Sequence, residues 1–331
     1  MTTTAIHTET PPLRELLAEL GRAPAVSGSA LAARLGVSRA AVWKQIERLR
    51  AAGLAIEAAA GSGYALADAV ELLDARSIAA ALPAPLRRRL GALQVHWQLD
   101  STNSHLLRQA NALADRSLCL AELQSAGRGR RGRSWQMPLG GGLALSLYRR
   151  FDAALASLAG LSLVAGLAAV QALAACGVTG VGLKWPNDLV AHGAKLGGIL
   201  VELGGEALGP CHAVIGIGIN LRLGVAAAQI GQAATDVAAL GTLPSRNLLA
   251  ARLIAALEAA LDEFARDGFA AFAPRYAALD VLRGQPVEVL RAGGSEPGIA
   301  RGIDARGALR VAFASGERAI DSGEVSIRGA R

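Results

Sequence analysis

Cysteine is scarce: Cys119, Cys176 and Cys211 are the only three in 331 residues. An odd, widely spaced set without a CxxC pair argues against a disulfide framework and against a zinc site. Met1 to Pro12 is polar and lacks the apolar core of a signal peptide, so the chain is expected in a reducing cytoplasm. Aromatic residues make up only 4%, which makes each of the four tryptophans a landmark. Charge is missing altogether from Ala153 to Leu183, a run long enough to span a bilayer. That run is dominated by Ala, Gly and Ser with Gln171 inside it, and alanine drives insertion far less than leucine does. A buried helix and no membrane partner are expected.

What is present begins with size and charge. The length suggests two or three domains, and 52% hydrophobic residues, many of them alanine, still allow a sizeable core. A net charge of +7 favours anionic partners such as nucleotides or nucleic acid, unless it reflects only a compositional bias towards arginine. Local clustering has to decide.

Residues 1–68 read as three helices and a hairpin. Leu13, Leu16, Leu17 and Leu20 recur at helical spacing. A second helix, Ser29 to Leu35, stops at Gly36-Val37, and Ser38 is placed to cap a third whose inner face is Val42, Ile46 and Leu49. Ala55 to Ala58 and Tyr64 to Leu66 flank the glycine-rich tip Gly61-Ser62-Gly63. Two helices around a tight turn form a helix-turn-helix, and the hairpin makes it winged. Five basic residues against one acid between Arg34 and Arg50 suit phosphate contacts. Ser38, Arg39, Ala40, Trp43, Lys44 and Arg48 are the expected DNA-facing residues. A docking or dimerisation module is the alternative for such a fold.

Residues 69–92 read as a helical linker containing the basic run Arg87-Arg88-Arg89, and 93–274 as alternating strands and helices. The last helix of that region runs from near Ser245 to Asp267 and stops at Gly268. In residues 275–331 short strands follow, Val287 to Leu290, Gly298 to Ile303, Leu309 to Phe313 and Val325 to Ile327, as in a small β-barrel.

Gly127-Arg-Gly-Arg-Arg-Gly-Arg-Ser-Trp135 fits GxGxxG, but no helix follows it as a dinucleotide fold requires. Four mutually repelling arginines in nine residues predict a loop that is mobile when empty and ordered around an anion. A solvated surface loop and a nucleic-acid-binding run stay open on this string alone.

Further motifs narrow the choice: Lys184-Trp-Pro-Asn-Asp188, Lys195-Leu-Gly-Gly-Ile-Leu-Val-Glu202 and Gly216-Ile-Gly-Ile-Asn220, with Ser101-Thr-Asn103 and Glu122-Leu-Gln124 upstream. In order and spacing these resemble the biotin protein ligase family. The terminal segments resemble its bifunctional bacterial form, so the resemblance covers nearly the whole chain. It implies an α+β fold: a winged helix-turn-helix, a central mixed-sheet catalytic domain and an SH3-like C-terminal barrel. It also implies formation of biotinyl-5′-AMP from biotin and ATP with Mg²⁺, then transfer to a lysine of the biotin carboxyl carrier protein of acetyl-CoA carboxylase or another carboxylase. Operator DNA, and a homodimer formed when the adenylate is bound, are the other implied partners.

The resemblance places Ser101, Thr102, Asn103, Gln124, Arg128, Gly129, Arg130 and Lys184 around biotin. Hydroxyls and amides suit the neutral ureido ring. Attack of a carboxylate on the α-phosphate brings two anions together, so Lys184 and Arg130 are the expected catalytic cations. Arg128, Arg130, Arg131, Trp135, Asn187, Lys195, Asn220 and Arg301 are expected at ATP or the adenylate, and Asp188 at the metal. No aromatic lies between Leu221 and Asp236, where some relatives cover adenine with one. A lipoate-type ligase is disfavoured by the arginine loop and the DNA-binding head, and a non-catalytic ligand sensor by the phosphate-transfer charges.

Overall fold

The computed structural model describes residues 6–8, 11–59, 63–291, 294–321 and 326–329. The hairpin-tip residues Gly61 and Ser62, and Val325 of the last expected strand, lie outside them. A short strand β1 (Ile6–Thr8) precedes α1 (Pro12–Leu20), α2 (Gly28–Leu35), α3 (Arg39–Ala51) and the hairpin β2 (Ile56–Ala59) and β3 (Gly63–Leu66). The caps are those the sequence calls for: Ser27 Oγ accepts from Ala30 N, Ser38 Oγ accepts from Ala41 N, and Gly36 ends α2 at φ +66°. Val42, Ile46 and Leu49 turn inward against Leu16, Leu17, Leu20 and Leu31.

That small core is not closed by its own residues. Trp97 and Leu139, from the neighbouring domain, are buried in it, and Leu139 N donates to Ala52 O at 2.8 Å. Gly53 has φ +96°, and a Cβ there would stand 2.6 Å from the Pro138 ring, so the head and the segment before Leu139 meet backbone to side chain.

Then come α4 (Ala75–Ala81), α5 (Ala84–Arg87), β4 (Leu93–Leu99), α6 (Thr102–Arg108), β5 (Ser117–Gln124), β6 (Gly142–Phe151) and α7 (Leu161–Ala174). They are followed by β7 (Gly182–Lys184), β8 (Asp188–Ala191), β9 (Ala194–Gly205), β10 (Cys211–Asn220), α8 (Arg246–Asp267) and α9 (Ala273–Ala277). One mixed sheet has the order β1-β4-β5-β6-β10-β9-β8-β7; β1, β4 and β5 run parallel and the other pairs antiparallel. Strand alternation gives its faces different work. Leu118, Leu120, Leu145, Leu147, Ile215 and Ile217 join the core with α4, α7 and α8. The intervening residues Cys119, Tyr148 and Val214 pack with α6. Within the charge-free run, Leu155–Ala174 is long and apolar enough to cross a membrane by length and composition alone, but half of it is buried and α7 is packed into that core.

Residues 69–92, read as a helical linker, carry α4 and α5 and pack onto the main core. Leu73 and Ile78 are fully buried in the main core. Glu71 accepts from Ser245 Oγ at 2.7 Å and Arg246 N at 2.6 Å, at the start of α8. Thr8 Oγ1 accepts from Ala75 N at 2.9 Å, clasping the strand that precedes the head to the segment that follows it. The α8 boundaries follow their signals, with Ser245 Oγ accepting from Leu248 N and Gly268 at φ +67°.

The C-terminal strands β11 (Pro286–Arg291), β12 (Gly294–Ile303), β13 (Leu309–Phe313), β14 (Gly316–Ile320) and β15 (Ser326–Gly329) form an antiparallel sheet in the order β14-β13-β12-β11-β15. β14 adds a strand to those read from the sequence, and among the described residues no ladder joins it to β15. Val287, Val289 and Leu309 belong to the main core, and Trp185 Nε1 donates to Gly307 O at 3.0 Å.

A charged cluster fastens α8 to the sheet: Arg116 and Arg149 both engage Glu258 and Asp262, and Arg89 reaches Asp262. Burial raises the Asp262 carboxyl, but the hydrogen bonds from Arg116, Arg89 and Arg149 outweigh it and hold the pKa well below the usual carboxylate range. A depressed carboxyl stabilises the fold fully above its unfolded pKa of ~4, and that contribution disappears as pH falls towards the folded value. Asp262→Asn is therefore expected to cost roughly 2 kcal/mol at pH 7, less than a fully buried pair because the carboxylate is partly exposed. In urea melts of both proteins between pH 7 and pH 3 the gap should begin to narrow at the acid end; a constant gap would assign the loss to packing.

Candidate active site

The cavity lies on the α6 face of the sheet, with a volume of about 1160 Å³. Its floor explains Gly-Ile-Gly-Ile in β10. Ile217 and Ile219 point into the core, which turns Gly216 and Gly218 to the opposite face. A Cβ at Gly216 would stand 2.2 Å from Asn103 Oδ1, and one at Gly218 2.5 Å from Trp135 Cε2. The glycines make room for those two side chains, and Trp135 lies on the backbone of β10 and of Gly198 in β9. Its Nε1 is buried without an acceptor among the described residues.

At one end stands a neutral polar cluster. Ser101 Oγ caps α6, and the next two side chains face inward. Gln124 Oε1 accepts from Thr102 N at 2.8 Å and Thr102 Oγ1 at 3.2 Å. Ser146 Oγ lies 2.8 Å from Thr102 Oγ1 and 2.6 Å from Asn103 Oδ1. Asn103 Nδ2 donates to Leu200 O at 3.2 Å and Glu202 Oε2 at 3.0 Å. Ser146 and Glu202 were not assigned from sequence; a lone serine in the apolar strand Leu143–Leu147 was the available signal.

The cations divide into paired and unpaired. Lys195 Nζ sits 2.7 Å from Asp188 Oδ1 and 5.8 Å from the Trp135 ring centre. Arg128 is held by Glu202 at 2.8 Å and 3.2 Å. Lys184 lines the cavity and forms no ion pair among the described residues. Burial, and then repulsion from Arg131, lower the Arg130 pKa against the pull of Asp188, although a guanidinium stays charged. The arginine loop closes on itself, with Gly129 N donating to Arg133 O at 2.7 Å and Trp135 N to Gly127 O at 2.8 Å. Arg131 takes φ +58° at its turn.

Asn187 Nδ2 donates to Ile199 O at 2.8 Å and so orders the turn after Lys184. Asn220 Nδ2 donates to Thr235 O at 3.1 Å, while its buried Oδ1 has no partner among the described residues. Ser101, Thr102, Asn103, Gln124, Arg128, Gly129, Arg130, Arg131, Trp135, Lys184, Asn187, Asp188, Lys195 and Asn220 thus share one cavity. Arg301 does not line it; Glu288 is the residue the C-terminal sheet contributes. Ile230, Gly231, Gln232 and Ala234 form a wall that sequence reading had left without an aromatic.

On the head, Ser38, Arg39, Ala40, Trp43, Lys44 and Arg48 are all exposed, Trp43 by 54%. The five clustered cations reduce to three, because Arg34 pairs with Glu19 and Arg50 with Glu47.

Three family models match successive parts of the chain: an HTH domain at residues 13–65, the Biotin/lipoate A/B protein ligase family at 95–220, and the Biotin protein ligase C terminal domain at 283–328. The bifunctional ligase/repressor BirA of Escherichia coli K12 is 38% identical over 97% of this chain and 98% of its own length. Its Salmonella typhimurium counterpart is 39% identical over 92% and 93%. A solved biotin protein ligase from Aquifex aeolicus, in complex with biotin and ATP, is 27% identical with a TM-score of 0.62, covering 71% of this chain and 98% of that one.

Proposed function

The chain belongs to the biotin protein ligase family in its bifunctional ligase/repressor form, and from that premise we propose how its cavity makes biotinyl-5′-AMP and passes biotin to a carrier lysine. The carrying observation is one cavity that joins a neutral hydroxyl and amide cluster to an unpaired lysine and an arginine loop. The ureido ring of biotin suits Thr102, Asn103, Gln124 and Ser146, which offer donors and acceptors without charge. A biotin carboxylate oxygen attacks the α-phosphorus, the bond to the β-phosphate oxygen breaks, and pyrophosphate leaves. Lys184 and Arg130 screen the two anions and stabilise the charge on the transferring phosphoryl group.

The orphaned Asn220 Oδ1 suits a donor such as the adenine amino group, and Trp135 with the Ile230–Ala234 wall supplies apolar cover. Mg²⁺ is commonly held by one or two carboxylates plus substrate phosphates; Asp188, beside Lys195 in the cavity, is the carboxylate that would hold it, and the ion would supply charge neutralisation for the departing pyrophosphate. In the second half-reaction a carrier lysine amine attacks the acyl carbon and AMP leaves. The acceptor is the biotin carboxyl carrier protein, and the free cysteines suit a reducing cytoplasm. Pyrophosphate release with Mg-ATP and biotin, and none with lipoate, is the expected result; equal release with lipoate overturns the assignment.

The head binds operator DNA through the exposed face of α3. Lys44→Ala should lower the slope of log affinity against log salt by about 1, whereas Arg34→Ala, whose cation is already paired, should leave it unchanged. Titrations at several salt concentrations measure both. Binding of the adenylate drives homodimerisation, and the dimer holds the operator more tightly than the empty protein. Leu139, a few residues beyond the arginine loop and buried in the head, supports a physical line between the two sites. Sedimentation and operator binding with and without adenylate test the coupling, and equal affinity in both states removes it.

A further inference from the structure

Among the described residues, one group of side chains able to ligate a metal lies outside the ligand cavity. His96 on β4, Cys119 on β5 and His105 on α6 bring a ring nitrogen, a thiol sulfur and a second ring nitrogen within 4.8 Å of one another. Register explains the meeting. Cys119 pairs with Gln94, so Cys119 and His96 fall on the same face of adjacent strands, two positions apart. α6 lies across that face and sets its imidazole against His96, with ring centres 4.7 Å apart. The residues are 9, 14 and 23 positions apart in sequence, which is why no spacing motif announced them.

We propose that these three side chains bind one Zn²⁺ ion. Two imidazoles and a thiolate form a borderline-soft donor set suited to Zn²⁺ rather than to Mg²⁺ or Ca²⁺, which take oxygen. Tetrahedral ligation asks for donor atoms roughly 3.5 Å apart, so each side chain has to close by about 1 Å or less. The surroundings resemble a built site. Cys119 and His96 are buried, and Cys119 belongs to one buried cluster with Leu106, Tyr148 and Val214. His105 has amide neighbours, Gln94 Oε1 at 3.1 Å and Gln109 Nε2 at 2.8 Å from Nε2, of the kind that fix a ligating imidazole's tautomer. His7, on the edge strand β1, stands edge-on to His96 with ring centres 6.3 Å apart, so a third imidazole flanks the cluster.

The test uses the full-length protein made without a polyhistidine tag, stripped with a chelator, and titrated separately with Zn²⁺ and Co²⁺. The expected result is one equivalent bound, with a thiolate-to-Co²⁺ charge-transfer band. His105→Gln should bind at least about 100-fold more weakly, since even loss of an outer partner costs 10- to 100-fold. Cys119→Ala should lose the band, and Cys176→Ala should bind as the parent does. His105 is only part-buried, so that variant stays informative even if the Cys119 change perturbs folding, and circular dichroism reports on both. No bound equivalent in the parent, or parent-like binding by a folded His105→Gln variant, overturns the proposal.

Discussion

Lys184→Ala should fold normally and lose at least about two orders of magnitude in the rate of adenylate formation, the usual cost of removing one stabiliser of transition-state charge. The size of the effect follows from what the neighbouring cations are already doing. Lys195 is neutralised by Asp188 at 2.7 Å and Arg128 by Glu202 at 2.8 Å, so neither is free to take over. Lys184 ends β7, opposite Asp188 in the β7–β8 hairpin, where it lines the cavity without an ion pair among the described residues. Lys184→Arg should restore little, because a planar fork does not replace a compact point charge. Rapid-quench measurement of pyrophosphate gives the answer; near-parental release by a folded Lys184→Ala protein removes this residue from the mechanism.

Gly216→Ala should raise the KM for biotin by roughly 10- to 100-fold while changing the maximal rate much less. The added methyl would stand 2.2 Å from Asn103 Oδ1, and Asn103 has nowhere to retreat without giving up Ser146, Leu200 or Glu202. Overpacking of this kind costs about 1–3 kcal/mol, and a displacement of ~1 Å at a binding group is enough for a hundredfold loss. Lys184, at the end of β7, is not among the hydrogen-bond partners of Asn103, which is why saturating biotin should recover most of the turnover. An unchanged KM in a folded variant would show that Asn103 does not hold biotin.

Much of this was legible because the signals are local. Ser38 and Gly36 mark the turn of the head, Ser245 and Gly268 bracket α8, and the Gly-Ile alternation of β10 already says which residues face the core. The motif order brought the expected site residues into one cavity, with Arg301, expected at the nucleotide, the exception. The rest depends on register between distant segments, which a single sequence does not carry. Ser146 reaches Asn103 across 43 positions, Glu122 pairs with Arg246, and Glu71 engages the start of α8; none leaves a periodic trace. Arg128 and Lys195 look like free cations in sequence and differ from Lys184 only in the carboxylates that folding brings beside them. The histidine–cysteine cluster is the same case: three residues without motif spacing, brought together by strand pairing and a short helix.

The strand at Ile6–Thr8 pairs with Leu93–Val95 before the chain ever enters the head. Topologically, then, the DNA-binding module is an insertion between two neighbouring strands of the enzyme's sheet rather than an appendage on its front. It has two covalent stalks, and Thr8 and Ala75 staple them together at the neck. A module on one stalk swivels freely, whereas one on two stapled stalks keeps its bearing, so the direction in which α3 is presented is inherited from the enzyme. A chain shortened to begin after the head would also lose its outermost strand. That would bare the edge of β4, whose unpaired backbone groups are a template for pairing with another chain, and aggregation is the foreseeable cost of that truncation.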